Sequence, residues 1–367
     1  KRLLGSRILI LKMDDHEDPG RDLIRLQSFF ACTGAGEKED RALPPVAPMI
    51  TPVNRLPAGR EKEFTIYVPV MEPLHARFLQ SVMRRAGIRV EVLPAPDLET
   101  VRVGKSKTNG DICLPASVVA GSIVQFLQRE KPDLGRTAFM IPSGCGPCRF
   151  GLYGQVVFEV LSGLGCPEVP VLSFSADSGL FGVKELVQGY QVTLISDLLN
   201  NAVYHTRPYE RNAGDTDAAL ARGAERICRA IEEGGDLMRA FTAALQEVAA
   251  VPVDRSRARP RILLVGEVFV RLNPAANYDL IRYLESKGCE VVMSELSSYL
   301  RYLFTFEEWI TRDKLQDGWT LTEIRRLAAV LVNARLVDWT DRRFTRALSR
   351  IFGTGVENAN AEHLTAE

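Results

Sequence analysis

The sequence predicts an α/β fold of two doubly wound, flavodoxin- or Rossmann-like parallel-sheet domains joined by a helical connector. Short buried strands alternate with amphipathic helices from residue 64 onward, as in FTIYVPV followed by PLHARFLQSVMRRAG. The alternation restarts at residue 261, where RILLVGE precedes YDLIRYLESKG. A helix between two strands provides the crossover connection that parallel pairing requires. We therefore expect parallel strands with helices on the faces of the sheet.

These patterns divide the chain into four segments. The first carries one short strand, SRILILK, and an arm rich in Pro, Gly and charge. The second is the first α/β domain, in which a polar loop is expected between the strand RVEVLP and Asp111. The third is the helical connector, broken at Gly234-Gly235, and the fourth is a second, truncated α/β domain with a mostly helical C-terminal part. The segments are residues 1–63, 64–205, 206–257 and 258–367.

Charge and composition limit the classes of partner. Lys+Arg and Asp+Glu each number 46 in 367 residues, so neither a nucleic acid nor an anionic membrane surface is expected as a partner. No apolar run approaches the roughly 20 residues that cross a bilayer. The chain begins at Lys1 without a signal-peptide pattern and has an odd seven cysteines. We therefore expect a cytoplasmic protein, and the start at Lys1 leaves open whether the chain is a fragment of a longer polypeptide.

Two cysteine-bearing turns follow predicted strands. Cys113 lies in GDICLP before a predicted helix, and Cys145 and Cys148 lie in IPSGCGPCRFG between the third strand and its helix. Ligands gather at the carboxyl ends of parallel strands, and helix N-termini stabilise thiolates, the form that binds iron. The two turns are therefore expected to converge on one metal centre. Glycines that would let the backbone approach a bulky cluster are Gly104, Gly110, Gly144, Gly146 and Gly151.

Other interpretations of the cysteines compete with this one. Cys145-Gly146-Pro147-Cys148 matches the dithiol redox motif of thioredoxin, although no Trp precedes it and the chain is much longer. Zinc needs four ligands, and neither a second CxxC nor a pair of histidines is present. The remaining cysteines are expected to be unligated, mostly as small core residues. They are Cys32, Cys166, Cys228 and Cys289.

An ordered set of motifs resembles the 2-hydroxyacyl-CoA dehydratase and benzoyl-CoA reductase superfamily. The set consists of FTIYVPVMEPL, GKSKTNGDICLPASVVAGSIV, GPCRFGLYG, RPYERNAGDTD and GEVFVRLNPAANYDLIRYLESKG. The most similar branch is associated with CoA-enzyme activases and includes relatives with double-cubane clusters. The resemblance covers about residues 64–300, and its specificity comes from the order of the motifs.

The resemblance implies that Cys113 and Cys148 ligate a [4Fe–4S] or double-cubane-type cluster. It also implies a component of a low-potential reductase or dehydratase for a small molecule or CoA thioester. Electrons would come from an ATP-hydrolysing activator protein or domain, and the partner subunit would be a second copy or a sister subunit. A scaffold or electron-transfer protein without its own substrate, and a CGPC dithiol oxidoreductase, remain alternatives.

Two departures from the family are visible. The family's usual further cysteine, near the C-terminal end, is missing after Cys289, which leaves Cys145 as a candidate third ligand outside the usual motif. The phosphate-binding signatures of the activator's ATPase are also absent from this sequence. The ATPase must therefore belong to another segment or another protein.

Several polar residues follow the strands at the predicted ligand-binding edge. Arg271 is a candidate for holding a carboxylate or phosphate of a substrate, with Glu267 to orient it. A salt bridge that fixes the loop, with a helix N-cap at Asn277, explains the same residues equally well. Arg149 is a candidate for lowering the charge of the centre, or an ordinary surface residue. Structural roles are expected for Arg207, Tyr209 and Glu210.

Overall fold

The computed structural model describes residues 55–57, 59–108, 110, 112–141, 149–173, 180–316 and 321–353. The predicted N-terminal strand, Cys32 and most of the arm lie outside these residues, and so do Cys145, Cys148 and residues 354–367. At the end of the arm, Glu61–Glu63 form a 3-10 turn before the first strand.

Four short strands form a parallel sheet in the order β2-β1-β3-β4. Ile66 in the central part of the sheet pairs with Val90 on one side and Ala138 on the other. All four strands occur where the sequence predicted them, so the α/β class and the parallel sheet are confirmed. The strands are β1 (Thr65–Val68), β2 (Val90–Val92), β3 (Thr137–Met140) and β4 (Val171–Leu172).

Helices cover both faces of this sheet. They are α1 (Pro73–Arg85), α2 (Leu98–Lys107), α3 (Leu114–Glu130) and α4 (Tyr153–Gly163). Side chains around β3 alternate between two apolar cores: Ala138 and Met140 pack with α1, and Phe139 and Ile141 pack with α3 and α4. Burial on both faces explains why β3 and β4 are almost entirely apolar in sequence.

Helix α2 occupies the stretch for which the sequence predicted a polar loop, so that prediction is wrong. Asp97 starts the helix with a capping box: its carboxylate accepts from Thr100 N at 2.7 Å, and Thr100 Oγ1 accepts from Asp97 N at 3.1 Å. The buried residues of the helix are Thr100 and Gly104. Because neither is a large apolar residue, the sequence of α2 lacks the hydrophobic periodicity from which a helix is predicted.

Two glycines let α2 and α3 cross with their backbones in contact. A Cβ on Gly104 would lie 1.8 Å from the carbonyl oxygen of Ser117, and one on Gly121 would lie 2.1 Å from that of Thr100. The hydroxyl groups of Thr108 and Ser117 hydrogen-bond beside the crossing at 2.7 Å. Gly104, expected from the sequence to let the backbone approach a cluster, lies inside α2 instead, where its missing side chain serves helix packing.

Three helices follow the first sheet. They are α5 (Val183–Thr206), α6 (Asp215–Glu233) and α7 (Leu237–Ala249). Gly234 adopts a left-handed φ of 77° and ends α6, which confirms the predicted break in the connector. Helix α5 packs against α1, α6 and α7, and its side chains between Tyr190 and Val203 are mostly buried.

The predicted second strand–helix–strand unit is also present. Strands β5 (Arg261–Leu264) and β6 (Glu290–Met293) pair in parallel. The chain between them forms α8 (Val268–Leu272), α9 (Pro274–Asn277) and α10 (Leu280–Ser286). After β6 follow α11 (Leu296–Gln316) and α12 (Leu321–Phe352), as expected for a helical C-terminal part.

Helix α5 contacts α1 beside the first sheet and β6 of the second sheet. Phe344 and Leu348 of α12 are buried in the same apolar core as α5, α6 and α7. Within the described residues the second sheet has two strands, so its doubly wound character and the division into two domains stay predictions.

The glycine crossing predicts the effect of adding one methyl group. We expect Gly104→Ala or Gly121→Ala to lower the free energy of unfolding by about 1–3 kcal/mol or more, because the Cβ overlaps a backbone oxygen. Urea unfolding measures the change. Gly163→Ala is the matched control, since nothing lies within 4 Å of its added Cβ. Equal stability of the crossing variants and the control would contradict the packing described.

Candidate metal centre and the adjoining polar network

Cys113 is the residue that precedes the first turn of α3. Its backbone is extended, with φ −63° and ψ 146°, and Pro115 occupies the first turn of the helix. The side chain is half-buried, and its Sγ lies 3.4 Å from the hydroxyl oxygen of Tyr153. The thiol is therefore located at the positive end of a 17-residue helix with a hydroxyl group beside it.

Tyr153 brings the start of α4 to the cysteine turn. Its ring is buried and packs edge-on against Phe150, with ring centroids 5.2 Å apart. Arg149, the residue after Cys148 in the sequence, is exposed at the start of the 3-10 turn Arg149–Leu152. Cys145 and Cys148 themselves lie outside the described residues, so their predicted convergence with Cys113 stays a prediction.

The other described cysteines are free thiols. Cys166 and Cys228 are buried, as expected for small core residues, and Cys289 is half-buried. Cys166 Sγ lies 3.3 Å from the carbonyl oxygen of Leu161. Burial raises the pKa of the Cys166 and Cys228 thiols, which disfavours their thiolate forms.

A buried polar network lies at the carboxyl ends of β1 and β6. We use this name for Glu72, Asp197, Arg271, Asn273 and Glu295, which are all less than a tenth exposed. Glu72 follows β1, Glu295 follows β6, and Asp197 projects from α5. The network therefore occupies the edge at which α/β proteins bind ligands.

Each carboxyl group of the network accepts hydrogen bonds. Asp197 accepts from the backbone N–H of Ser297 at 2.7 Å, in the first turn of α11. Glu295 accepts from the Asn201 amide and the Ser298 hydroxyl, both at 3.3 Å. Glu72 caps α1 by accepting from Leu74 N at 3.0 Å and His75 N at 2.6 Å.

Burial dominates the titration of these groups. It raises the pKa of Asp197 to about 7, with a contribution from the negative charge of Glu72. It raises the pKa of Glu295 to about 8, with contributions from Asp197 and Asp341. It also raises the pKa of Glu72 and lowers that of His75 to about 4. The network can therefore hold protons near neutral pH, which is a property of many functional sites.

Arg271 is the cation of the network. Its guanidinium donates to the carbonyl oxygen of Gly266 at 2.9 Å and to that of Glu295 at 3.2 Å. Nε is buried without a hydrogen-bond partner among the described residues. Burial lowers the pKa of Arg271, while the charges of Asp197 and Glu267 oppose that shift. Its two backbone contacts fix the loop after β5 against the loop after β6.

The other predicted polar residues of this loop also bind backbone groups. Glu267 is the N-cap of α8 and accepts from Val270 N at 2.8 Å. Asn277 donates to the carbonyl oxygens of Val270 and Arg271, both at 2.9 Å, and accepts from Leu280 N at 3.1 Å. Among the described residues no ion pair joins Glu267 to Arg271, and the residue that precedes α10 is Asp279, so the salt bridge and the N-cap at Asn277 expected from the sequence are wrong. The loop is fixed by backbone hydrogen bonds instead, and the substrate-binding role stays a prediction.

Asn273 links this loop to the first sheet. Its side-chain amide donates to the carbonyl oxygens of Val70 and Met71, at 3.2 and 3.1 Å, just beyond β1. Phe269 of α8 and Ala276 of α9 pack in the same apolar cluster as Cys113. The cysteine turn and the loop after β5 are therefore neighbours.

The RPYE segment has the structural role expected for it. Arg207 forms a two-pronged, buried ion pair with Glu285 of α10, at 2.8 Å for both bonds. Tyr209 donates to Glu290 of β6 at 2.9 Å. Glu210 accepts from Gly214 N and Thr216 N at the start of α6. The segment joins the connector helices to the second sheet.

Sequence reasoning missed the acidic members of the network. The signal was present for Asp197, because an aspartate in the apolar run LISDLLNN must be buried with partners on one side of a core helix. Glu72 precedes Pro73 in MEPL, which is the pattern of an acidic N-cap followed by proline. Glu295 carries no comparable signal, since SEL is an ordinary loop sequence.

Comparison with protein-family models, with curated proteins and with solved structures gave no match to this chain. Among the described residues, three or more His, Cys, Asp or Glu side chains nowhere form a group that could hold a metal ion. Within the same residues no helix combines the length and apolarity needed to cross a membrane.

The raised carboxyl pKa values predict how stability depends on pH. Between pH 6.5 and 8 the unfolded chain has already lost the protons that folded Asp197 and Glu295 still hold. The folded state therefore binds more protons, and the free energy of unfolding falls as pH rises, by on the order of 2 kcal/mol. Urea unfolding at several pH values measures this slope.

The variant Asp197→Asn tests the origin of the slope. It removes one titrating group and also the negative charge that lies next to Glu295. We therefore expect the free energy of unfolding to fall less steeply with pH, so that at pH 8 the variant gains stability relative to the native protein. Asp254→Asn is the control, since Asp254 is exposed and its pKa is lowered, chiefly by hydrogen bonds from Ser256. A slope that is flat in the native protein, or unchanged in Asp197→Asn, would contradict the assignment.

Proposed function

We propose that this chain holds an iron–sulfur cluster through Cys113, Cys148 and Cys145 and acts in an ATP-activated low-potential reductase or dehydratase. The observation that carries the proposal is the position of Cys113. Its half-buried sulfur is located at a helix N-terminus and within 3.4 Å of a tyrosine hydroxyl. The ordered motifs of the sequence, from FTIYVPVMEPL to GEVFVRLNPAAN, support the same family of reactions.

Cys113 has the properties of a thiolate ligand. The N–H groups in the first turn of α3 and the Tyr153 hydroxyl can donate to a negatively charged sulfur. Ile112, Leu114 and Phe150 pack in the apolar cluster around it. The resemblance to the family implies Cys148 as a second ligand, and Cys145 is the candidate third ligand.

The bound cluster would supply single electrons of low potential to a small molecule or a CoA thioester. Arg271 and the carboxyl groups of the network would fix the loops beside it and hold protons near neutral pH. Arg149, Glu267 and Asn277 remain proposed contributors to the substrate side of this edge. The proposal includes a cytoplasmic protein with two α/β domains, an ATP-hydrolysing activator, and a second copy or sister subunit.

Anaerobic purification tests the proposal. We expect a brown protein with four irons and four acid-labile sulfides per chain or per dimer, and an electron paramagnetic resonance signal after reduction. Cys113→Ser and Cys148→Ser should each lower the iron content about tenfold or more, whereas Cys145→Ser decides whether that residue is the third ligand.

Cys289→Ser is the matched control, because Cys289 is also a half-buried free thiol. It should leave the iron content unchanged. Circular dichroism of each variant separates loss of the cluster from loss of the fold. Iron that survives both Cys113→Ser and Cys148→Ser, or a colourless protein that reduces insulin disulfides, would overturn the proposal.

A further inference from the structure

Helix α12 presents an unusual set of exposed side chains between Val332 and Arg350. Trp339 is 51% exposed and Val332 is 67% exposed. Five arginines are exposed along the same stretch, and together with Trp339 and Asp338 they line a shallow concave surface of about 580 Å³. We call these five the arginine stripe: Arg335, Arg342, Arg343, Arg346 and Arg350.

The opposite side of the helix is firmly anchored. Val337, Thr340, Phe344 and Leu348 are all less than a tenth exposed, and Phe344 packs edge-on against Phe241 of α7. The stripe is therefore held on a fixed helix. From its first to its last arginine it extends about 22 Å at 1.5 Å per residue.

The charge of the stripe is not balanced by neighbouring carboxylates. Elsewhere exposed arginines form ion pairs, as Arg84 does with Glu91 and Arg282 with Asp217. In the described part of the chain none of the five stripe arginines takes part in an ion pair. Five positive charges face a single Asp338 on this surface, in a chain whose total charge is zero.

Apolar surface accompanies the charge. The Arg343 guanidinium carbon lies 5.2 Å from the centre of the Trp339 ring, so a cation and an aromatic face are presented together. Trp and Arg are the residue types that contribute most to binding energy in protein interfaces. The guanidinium group of an arginine can donate two parallel hydrogen bonds to one carboxylate.

We propose that the arginine stripe, with Trp339 and Val332, binds an acidic amphipathic segment of a partner protein. Charge complementarity specifies the acidic side chains, and the exposed Trp and Val specify apolar residues among them. A membrane surface fits less well, because the apolar side of α12 is already buried in the core. A nucleic acid fits less well, because Val332 would gain nothing from a phosphate backbone.

The direct test measures binding to the full chain by fluorescence anisotropy. The probe is a labelled helical peptide of about 20 residues with glutamates along one face and leucines among them. We expect binding that weakens from about 50 mM to about 500 mM NaCl. The triple variant Arg335→Gln/Arg342→Gln/Arg346→Gln should lose about tenfold in affinity, the sum of three exposed charge pairs.

The matched control is Arg102→Gln/Arg129→Gln/Arg136→Gln, three exposed arginines outside α11 and α12. It changes the total charge equally and should leave the affinity within about twofold. Trp339→Ala should weaken the leucine-containing peptide but not a peptide of glutamates alone. Circular dichroism and urea unfolding confirm that each variant is folded.

Four outcomes would overturn the proposal. The first is that the acidic peptide does not bind, and the second is that the stripe and control variants lose the same affinity for it. The third is that the native chain binds the leucine-free peptide as tightly as the leucine-containing one. The fourth is that another anion binds to the stripe more tightly than the peptide does. The last outcome is tested with a DNA duplex and with vesicles containing phosphatidylserine. None of these measurements involves the cluster, so the result is independent of the proposed reductase or dehydratase function.

Discussion

The arrangement of the two sheets depends on how the protein accommodates buried carboxyl groups between them. Removing an isolated carboxylate from water costs several kcal/mol, and Glu72, Asp197 and Glu295 are all buried. Hydrogen bonds from helix N-termini and raised pKa values reduce this cost at Asp197 and Glu72. Asn273 and Arg271 then connect the loops that follow β1, β5 and β6. These contacts join the two sheets in addition to the apolar packing around them.

The cysteine turn and the loop after β5 pack in one apolar cluster, in which each contributes different chemical groups. Cys113 and Tyr153 provide the sulfur and hydroxyl groups on one side. The loop after β5 contributes Phe269 and Ala276 to the packing and holds its polar residues by backbone contacts. In this arrangement a shift of α3 would disturb the cysteine and the loop together. The glycine crossing between α2 and α3 limits such a shift.

Sequence reasoning identified the strands of both sheets and most helices, because the strands are short runs rich in apolar residues and amphipathic helices are periodic. It failed at α2, whose buried side is formed by Thr100 and Gly104, and periodicity cannot detect a glycine contact. It placed Cys113 correctly at a helix N-terminus, since a turn before Leu114-Pro115 is a local property. It missed Glu72 and Glu295 as parts of one network, because their proximity arises only when two distant strand ends meet.

Buried polar residues restrict the rotational orientation of helix α5. Thr193, Asp197, Asn200 and Asn201 follow one another at nearly helical spacing in 24 residues that are otherwise mostly apolar. A helix with apolar side chains all round can settle against its neighbours at several angles with similar energies. A turn of about 100° would force the Asp197 carboxyl among leucines and leave the N-terminus of α11 without its acceptor. Asp197 therefore favours one rotation of α5 about its axis over the others, and its burial lowers the stability of the folded state.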